Sequence, residues 1–180
     1  LEERSAKRRT DTKTLIKQIF EVHREFIKVV NPEDYVNTDT KLEFNCHKEK
    51  HGVFSSTSHS IISGQGCPIC KMSKGERKIL FWLRDNKVVL NSQHRVKKHK
   101  GKGHFIFDFY LPELDIVIEY DGRQHSMPVE VWGGEKALKE IKKIDSLKDE
   151  YAKLNGWRMI RIPYTDFDNL EGLLSSILKF

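Results

Sequence analysis

The chain has 180 residues with 38% apolar content, less than one large domain usually carries and better suited to two small units. A formal charge of +6 with a pI near 9.1 fits a polyanionic partner such as DNA. No run is long enough for a membrane-spanning helix, and the charged start LEERSAKRRT lacks the apolar segment of a secretory signal, so a soluble, intracellular protein without a membrane partner is expected.

Residues 1 to 10 carry Arg4, Lys7, Arg8 and Arg9 with no apolar set, as a basic arm would. From Thr12 to Val30 the apolar residues follow a helical stripe at first and become strand-like towards the end. Tyr35 to Phe54 alternates as a short hairpin, with turns at Asn37-Thr38-Asp39 and around Lys48. In and just after it stand Cys46, His47, His51, His59, Cys67 and Cys70. Three cysteines, two of them in CPIC, argue against a disulfide framework and for tetrahedral zinc in a reducing compartment. The two-residue gap in CPIC lets both sulfurs turn to one ion, and Cys46 with one histidine would complete four ligands. Which histidine it is stays open among His51, His47 and His59.

Lys71 to Gly75 is polar and reads as the boundary between two units. An amphipathic helix should start near Ser73, with Ile79, Leu80, Trp82 and Leu83 as its apolar set and Glu76 in its first turn, where an acid suits the helix dipole. KVVLNSQHRV follows as a strand or hairpin arm. It runs into KKHKGKGH, where Arg95, Lys97, Lys98, Lys100 and Lys102 form a basic stretch suited to phosphate contacts. FIFDFY and IVIEY then read as two buried strands joined by a turn at LPELD. Alternation puts Glu119 and Asp121 on one face of the second strand, with Ile118 and Tyr120 on the other and Asp108 across from the acids or close to them. Carboxylates in such apolar surroundings need a partner, and a divalent cation is the most effective one for several oxygens, which makes Asp108 and Glu119 candidate Mg²⁺ ligands. His125 follows in the next loop, where an imidazole titrating near neutrality could move a proton. A helix from about Glu135 to Asn155 has an apolar stripe of Ala137, Leu138, Ile141, Ile144, Leu147, Tyr151 and Leu154, with Asp145 and Lys148 neighbours on its surface. WRMIRIPY reads as a closing strand bearing Arg158 and Arg161, and a short helix runs from Asp166 to Phe180.

The helix glutamate, the FDFY strand, IEYDGxQH and the later D-x-x-K resemble the PD-(D/E)XK nuclease superfamily, and more narrowly its EDxHD branch of phage homing endonucleases, related in fold to very-short-patch-repair endonucleases. The resemblance spans about Lys74 to Tyr164. It implies an α/β fold, a mixed sheet flanked by helices, in a catalytic domain at 73–180, with a basic arm and helix at 1–34 and a zinc-binding module at 35–72. The implied catalytic group is Glu76, Asp108, Glu119, Asp121, His125, Asp145 and Lys148. Asp121 stands where the common signature has lysine, which fits the EDxHD branch and leaves the roles of Glu76, Asp121 and Asp145 undivided. Zinc modules that accompany such nucleases read C-P-x-H-G-x-F and G-x-G-C-P-x-C. The match to CHKEKHGVF and GQGCPIC favours Cys46, His51, Cys67 and Cys70 as ligands, although two extra residues separate the first pair.

The implied activity is Mg²⁺-dependent hydrolysis of double-stranded DNA at a specific site, in the cytoplasm of a bacterial or phage-infected cell, with structural zinc. A mismatch-repair or restriction-type nuclease, or a non-catalytic DNA-binding protein on the same fold, are the alternatives. Cutting both strands with one site per chain favours a homodimer on DNA.

Overall fold

The computed structural model describes residues 11–99, 101–128 and 133–179. The basic arm with Arg4, Lys7, Arg8 and Arg9 and the loop residue Lys100 lie outside that set. Backbone contacts divide the chain into two compact units, with the division after Met72.

In the first unit, α1 (Thr12–His23) begins at Asp11, whose carboxylate accepts the Thr14 N–H at 2.8 Å and so satisfies one of the amides that a helix start leaves unpaired. Its Leu15 and Ile19, four apart, are buried. Strands β1 (Ile27–Val29), β2 (Lys41–Cys46) and β3 (Gly52–Thr57) form an antiparallel sheet in that order, followed by the short helices α2 (Ser58–Ile62) and α3 (Pro68–Lys71). The strand-like end of the first helical segment is therefore a strand, and residues on both sides of Asp34 contribute to one sheet. The hairpin is displaced from its expected place. Its first arm starts at Lys41 and its second runs on to Thr57, because Pro32–Asp34 forms a helical turn and Thr40 closes a turn onto the Asn37 carbonyl, which leaves Tyr35 and Val36 ahead of the pairing. Along β2, Leu42, Phe44 and Cys46 point inward, two residues apart as a strand requires.

The second unit contains α4 (Lys74–Asp85), β4 (Asn91–Lys97), β5 (His104–Leu111), β6 (Ile116–Asp121), α5 (Gly134–Leu154), β7 (Arg158–Pro163) and α6 (Leu170–Leu178). The sheet order is β4-β5-β6-β7, antiparallel through β6 and parallel between β6 and β7, so the fold is α/β with a mixed four-stranded sheet. The parallel pair needs a long crossover, and α5 supplies it. Ser73 and Glu76 cap α4 reciprocally, each side chain accepting the other's backbone N–H. Gly75, in the first turn of α4, lies so close to the Tyr120 ring that any Cβ there would collide with it. Facing α5, the sheet buries Phe105, Phe107 and Val117 against Tyr151 and Ala152, with Trp157 packed alongside.

Three expectations are corrected. The strand read from Lys87 begins only at Asn91, since the Val88 N–H turns back to the Leu83 carbonyl and pairing with β5 starts at Asn91. The last helix starts at Leu170, after a separate turn at Tyr164–Asp166. The single apolar stripe of α5 is two faces: Tyr151 and Ala152 are buried, whereas Ile144, Leu147 and Leu154 are exposed. Among the described residues, no helix is long and apolar enough to cross a membrane.

Candidate functional site

Regular pairing of β5 with β6 runs from Leu111↔Ile116 to Phe109↔Ile118 and stops there. Beyond it the carboxylates take over the backbone amides. The Asp108 N–H donates to Glu119 Oε1 at 3.3 Å, and the Tyr120 N–H donates to Asp108 Oδ2 at 2.8 Å. Buried amides need acceptors, and here the acids provide them. The second Glu119 oxygen, Oε2, accepts from Lys148 Nζ on α5 at 2.8 Å, while the ammonium also sits over the Phe107 ring. Glu76 reaches the same region from α4, accepting from Gln93 Nε2 at 3.2 Å on β4. Burial first, then the Glu119 charge and that of Glu76, push the Asp108 carboxyl up to about 7, against the opposing Tyr120 N–H and Lys148. Burial also raises Glu119, even though Lys148 pulls the other way.

A second constellation adjoins the first along β6. Asp121 and Asp145 both approach His125 Nδ1, at 3.6 and 2.9 Å. Arg161 on β7, in register with Glu119, donates to Asp121 at 3.0 Å, lies 3.3 Å from an Asp145 oxygen and holds Asp149 at 3.1 Å. Burial raises the Asp121 carboxyl, opposed by Arg161 and His125. For Arg161, burial works against the charge, but Asp121, Asp145 and Asp149 outweigh it and raise the guanidinium further. Sequence reasoning placed Arg161 on the strand without giving it a site role. A guanidinium between two inward isoleucines, Ile160 and Ile162, has to point to the opposite face, and that alternation was the available signal.

The first unit holds a separate cluster. His51 Nδ1 stands 3.5 Å from Cys46 Sγ, 3.6 Å from Cys67 Sγ and 3.4 Å from Cys70 Sγ, and the Cys46 and Cys70 sulfurs are 3.9 Å apart. Zinc bonds of about 2.3 Å to sulfur and 2.0–2.1 Å to nitrogen, set tetrahedrally, give edges of about 3.6 Å for N···S and about 3.8 Å for S···S. The donor set and its spacing both fit, so this Cys3His group could hold a zinc ion. Its four ligand atoms all lie within 4.8 Å of one another. His47 and His59 stay exposed and apart from it. The two extra residues after Cys46 are absorbed in a tight turn with Lys50 and Gly52 at positive φ, so that Cys46 still pairs with Gly52 and His51 swings inward. On the other side, Cys67 stands at the start of α3 and Cys70 lies within its single turn.

Of the basic residues expected on DNA, Arg95 contacts His104 Nδ1 at 3.2 Å, Lys98 lies over the Phe105 ring, and Lys97 and Lys102 are exposed.

No family model and no solved structure matches the chain. It is similar to uncharacterized protein 094L of Frog virus 3 (isolate Goorha), 37% identical over 73 residues, which cover 39% of this chain and 46% of that protein. The chain thus spans about half the length of the curated relative it matches. What fold and side chains define together is an α/β protein with a mixed sheet, a polar constellation at one end of its β5–β6 pair, and a Cys3His group fit for zinc.

Proposed function

We propose that this chain is a metal-dependent endonuclease of the PD-(D/E)XK type, cutting double-stranded DNA at a specific site in the manner of EDxHD homing enzymes. The observation that carries the reading is the pair of carboxylates, half-buried Asp108 and buried Glu119, set together where two strands part, with Glu76, Lys148 and the His125 cluster about them. Carboxylates whose charge burial disfavours gain most from a cation beside them. One or two carboxylates suffice for Mg²⁺, which keeps its remaining positions for water and phosphate. Asp108 and Glu119 would hold it, and once bound it polarises a phosphoryl oxygen and acidifies water.

The protein's own groups do the remaining work. With Nδ1 of His125 engaged by Asp145, Nε2 is the ring nitrogen that would exchange a proton with the nucleophile or the leaving oxygen. Asp145 fixes that tautomer, and Arg161 fixes Asp121 and Asp145. Lys148 places a positive charge at the acids and would balance charge that builds on the phosphate. Arg95, Lys97, Lys98, Lys100 and Lys102 would contact phosphates, and the zinc group would keep the first unit folded for DNA contact.

Supercoiled plasmid incubated with Mg²⁺ tests the reading, comparing the wild type with Asp108→Ala and His125→Ala. Nicking or linearisation by the wild type, lowered at least about a hundredfold in both variants, is the expected result. DNA binding by all three proteins with no cleavage, on plasmid and on a random-sequence library alike, would leave a DNA-binding protein instead.

A further inference from the structure

The open flank of α5 is the surface that nothing described so far uses. Successive helical residues turn by about 100°, so Asp145, Lys148 and Ala152 fall on one face, and this face meets the sheet. Ile144, Leu147 and Leu154 fall on another, where they are 45%, 41% and 68% exposed. With Tyr151 at the boundary they repeat at intervals of three, four and three residues, the spacing of a helix seam made for a second helix. A groove runs beside this stripe, floored by Phe105 and Tyr151 and edged by Lys98 and Lys102. Branched aliphatic side chains in such a line match another apolar helix better than they match a nucleobase or a phosphate.

We propose that this flank is a self-association surface, on which a second copy of the chain lays its own α5 antiparallel. The charges beside the stripe choose both the partner and the direction. In the register that sets Ile144 against the partner's Leu147 and Ala137 against the partner's Leu154, Lys143 faces the partner's Glu150. Two-fold symmetry makes that pair twice. A parallel pairing would instead set Lys143 beside the partner's Lys148, which repels it and is already committed to Glu119. Lys143 and Glu150 are both exposed, so each is available to a partner chain. A pair of 21-residue helices offers an interface at the small end of the specific range, the size class of transient complexes, so the concentrations to search are micromolar and above. The inference uses no residue given a catalytic role, and it stands or falls separately from the nuclease reading.

Sedimentation velocity on the full zinc-loaded chain without DNA, from about 1 to about 300 µM, spans that range. The expected result is a monomer–dimer equilibrium that Leu147→Glu abolishes. Lys143→Glu and Glu150→Lys should each weaken it about tenfold, since each turns two attractive pairs into repulsive ones, and the double variant should return it to within about threefold of the wild type. All three substitutions sit at exposed positions, and far-ultraviolet circular dichroism verifies the fold of each variant. A monomer throughout, a dimer indifferent to Leu147→Glu, or a double variant no better than the single ones would overturn the proposal.

Discussion

At the scale of single residues, the most consequential charge is the one Asp108 has difficulty carrying. Its carboxyl titrates at about 7 in the fold against 3.8 for the free group, because burial and the neighbouring Glu119 both favour the proton. The folded state therefore binds this proton more tightly than the unfolded chain does. The stabilisation is complete below about pH 4 and is lost as the pH rises through about 7, with Glu119 acting in the same sense. Asp108→Asn removes the ionisation and keeps the size. With zinc present and magnesium absent, urea midpoints should show the Asn variant gaining on the wild type between pH 5 and pH 8, by the order of a few kcal/mol at the upper end. A difference that stays constant over this range would mean that Asp108 ionises normally. How much of this was legible depends on the residue. Alternation along IVIEYD put Glu119 and Asp121 on one face, and they do share the face towards α5. The parting of β5 from β6 that lets Asp108 cap the Tyr120 amide has no signature in the text, since it depends on where two strands stop pairing.

At the scale of elements, α4 shows how a glycine that propensity disfavours can still stabilise a fold. Alanine in a helix interior is better than glycine by about 1 kcal/mol. At Gly75 that preference should reverse, because a methyl group would strike the Tyr120 ring and push β6 and α4 apart. Gly75→Ala is expected to lower the thermal midpoint, with a cost of about 1–3 kcal/mol, and Gly75→Ala/Tyr120→Leu should recover part of it. An alanine variant as stable as the wild type would show that the helix and strand adjust freely. Elsewhere, period and element type were readable where one face alone is buried. In α4 the apolar set, the cap and the start all follow from SKGERKILFWL, and the burial of Ile79, Leu80 and Leu83 follows with them. In α5 the period was equally plain, yet the apolar residues serve two faces, and a sequence does not say whether an apolar residue faces its own core or a neighbour. The three-residue β1 was too short to carry a period at all.

At the scale of the whole chain, the two units rest on different kinds of stabilisation, and metal removal separates them. The second unit buries aromatic and branched residues from three strands, β5 to β7, and three helices, including Phe107, Phe109, Leu111, Ile118 and Ile162, all at most 1% exposed. The first has two small layers, its three short strands and α1, and its cysteines and histidine close against one another at one end of β2. A structural zinc ion contributes about 10–16 kcal/mol of binding free energy at neutral pH, more than a core of that size supplies alone. One zinc per chain is therefore expected by atomic absorption, and His51→Ala should lose it. Hydrogen exchange followed on the full chain before and after a strong chelator tests the division directly. Amides of β2 and β3 should lose protection by several orders of magnitude, while those of β5, β6 and α4 keep theirs, and restored zinc should bring the first set back. Protection lost together in both units would mean that the metal holds up the whole molecule. Unchanged protection in β2 and β3 would mean that Leu42, Phe44 and Ile61 suffice without it.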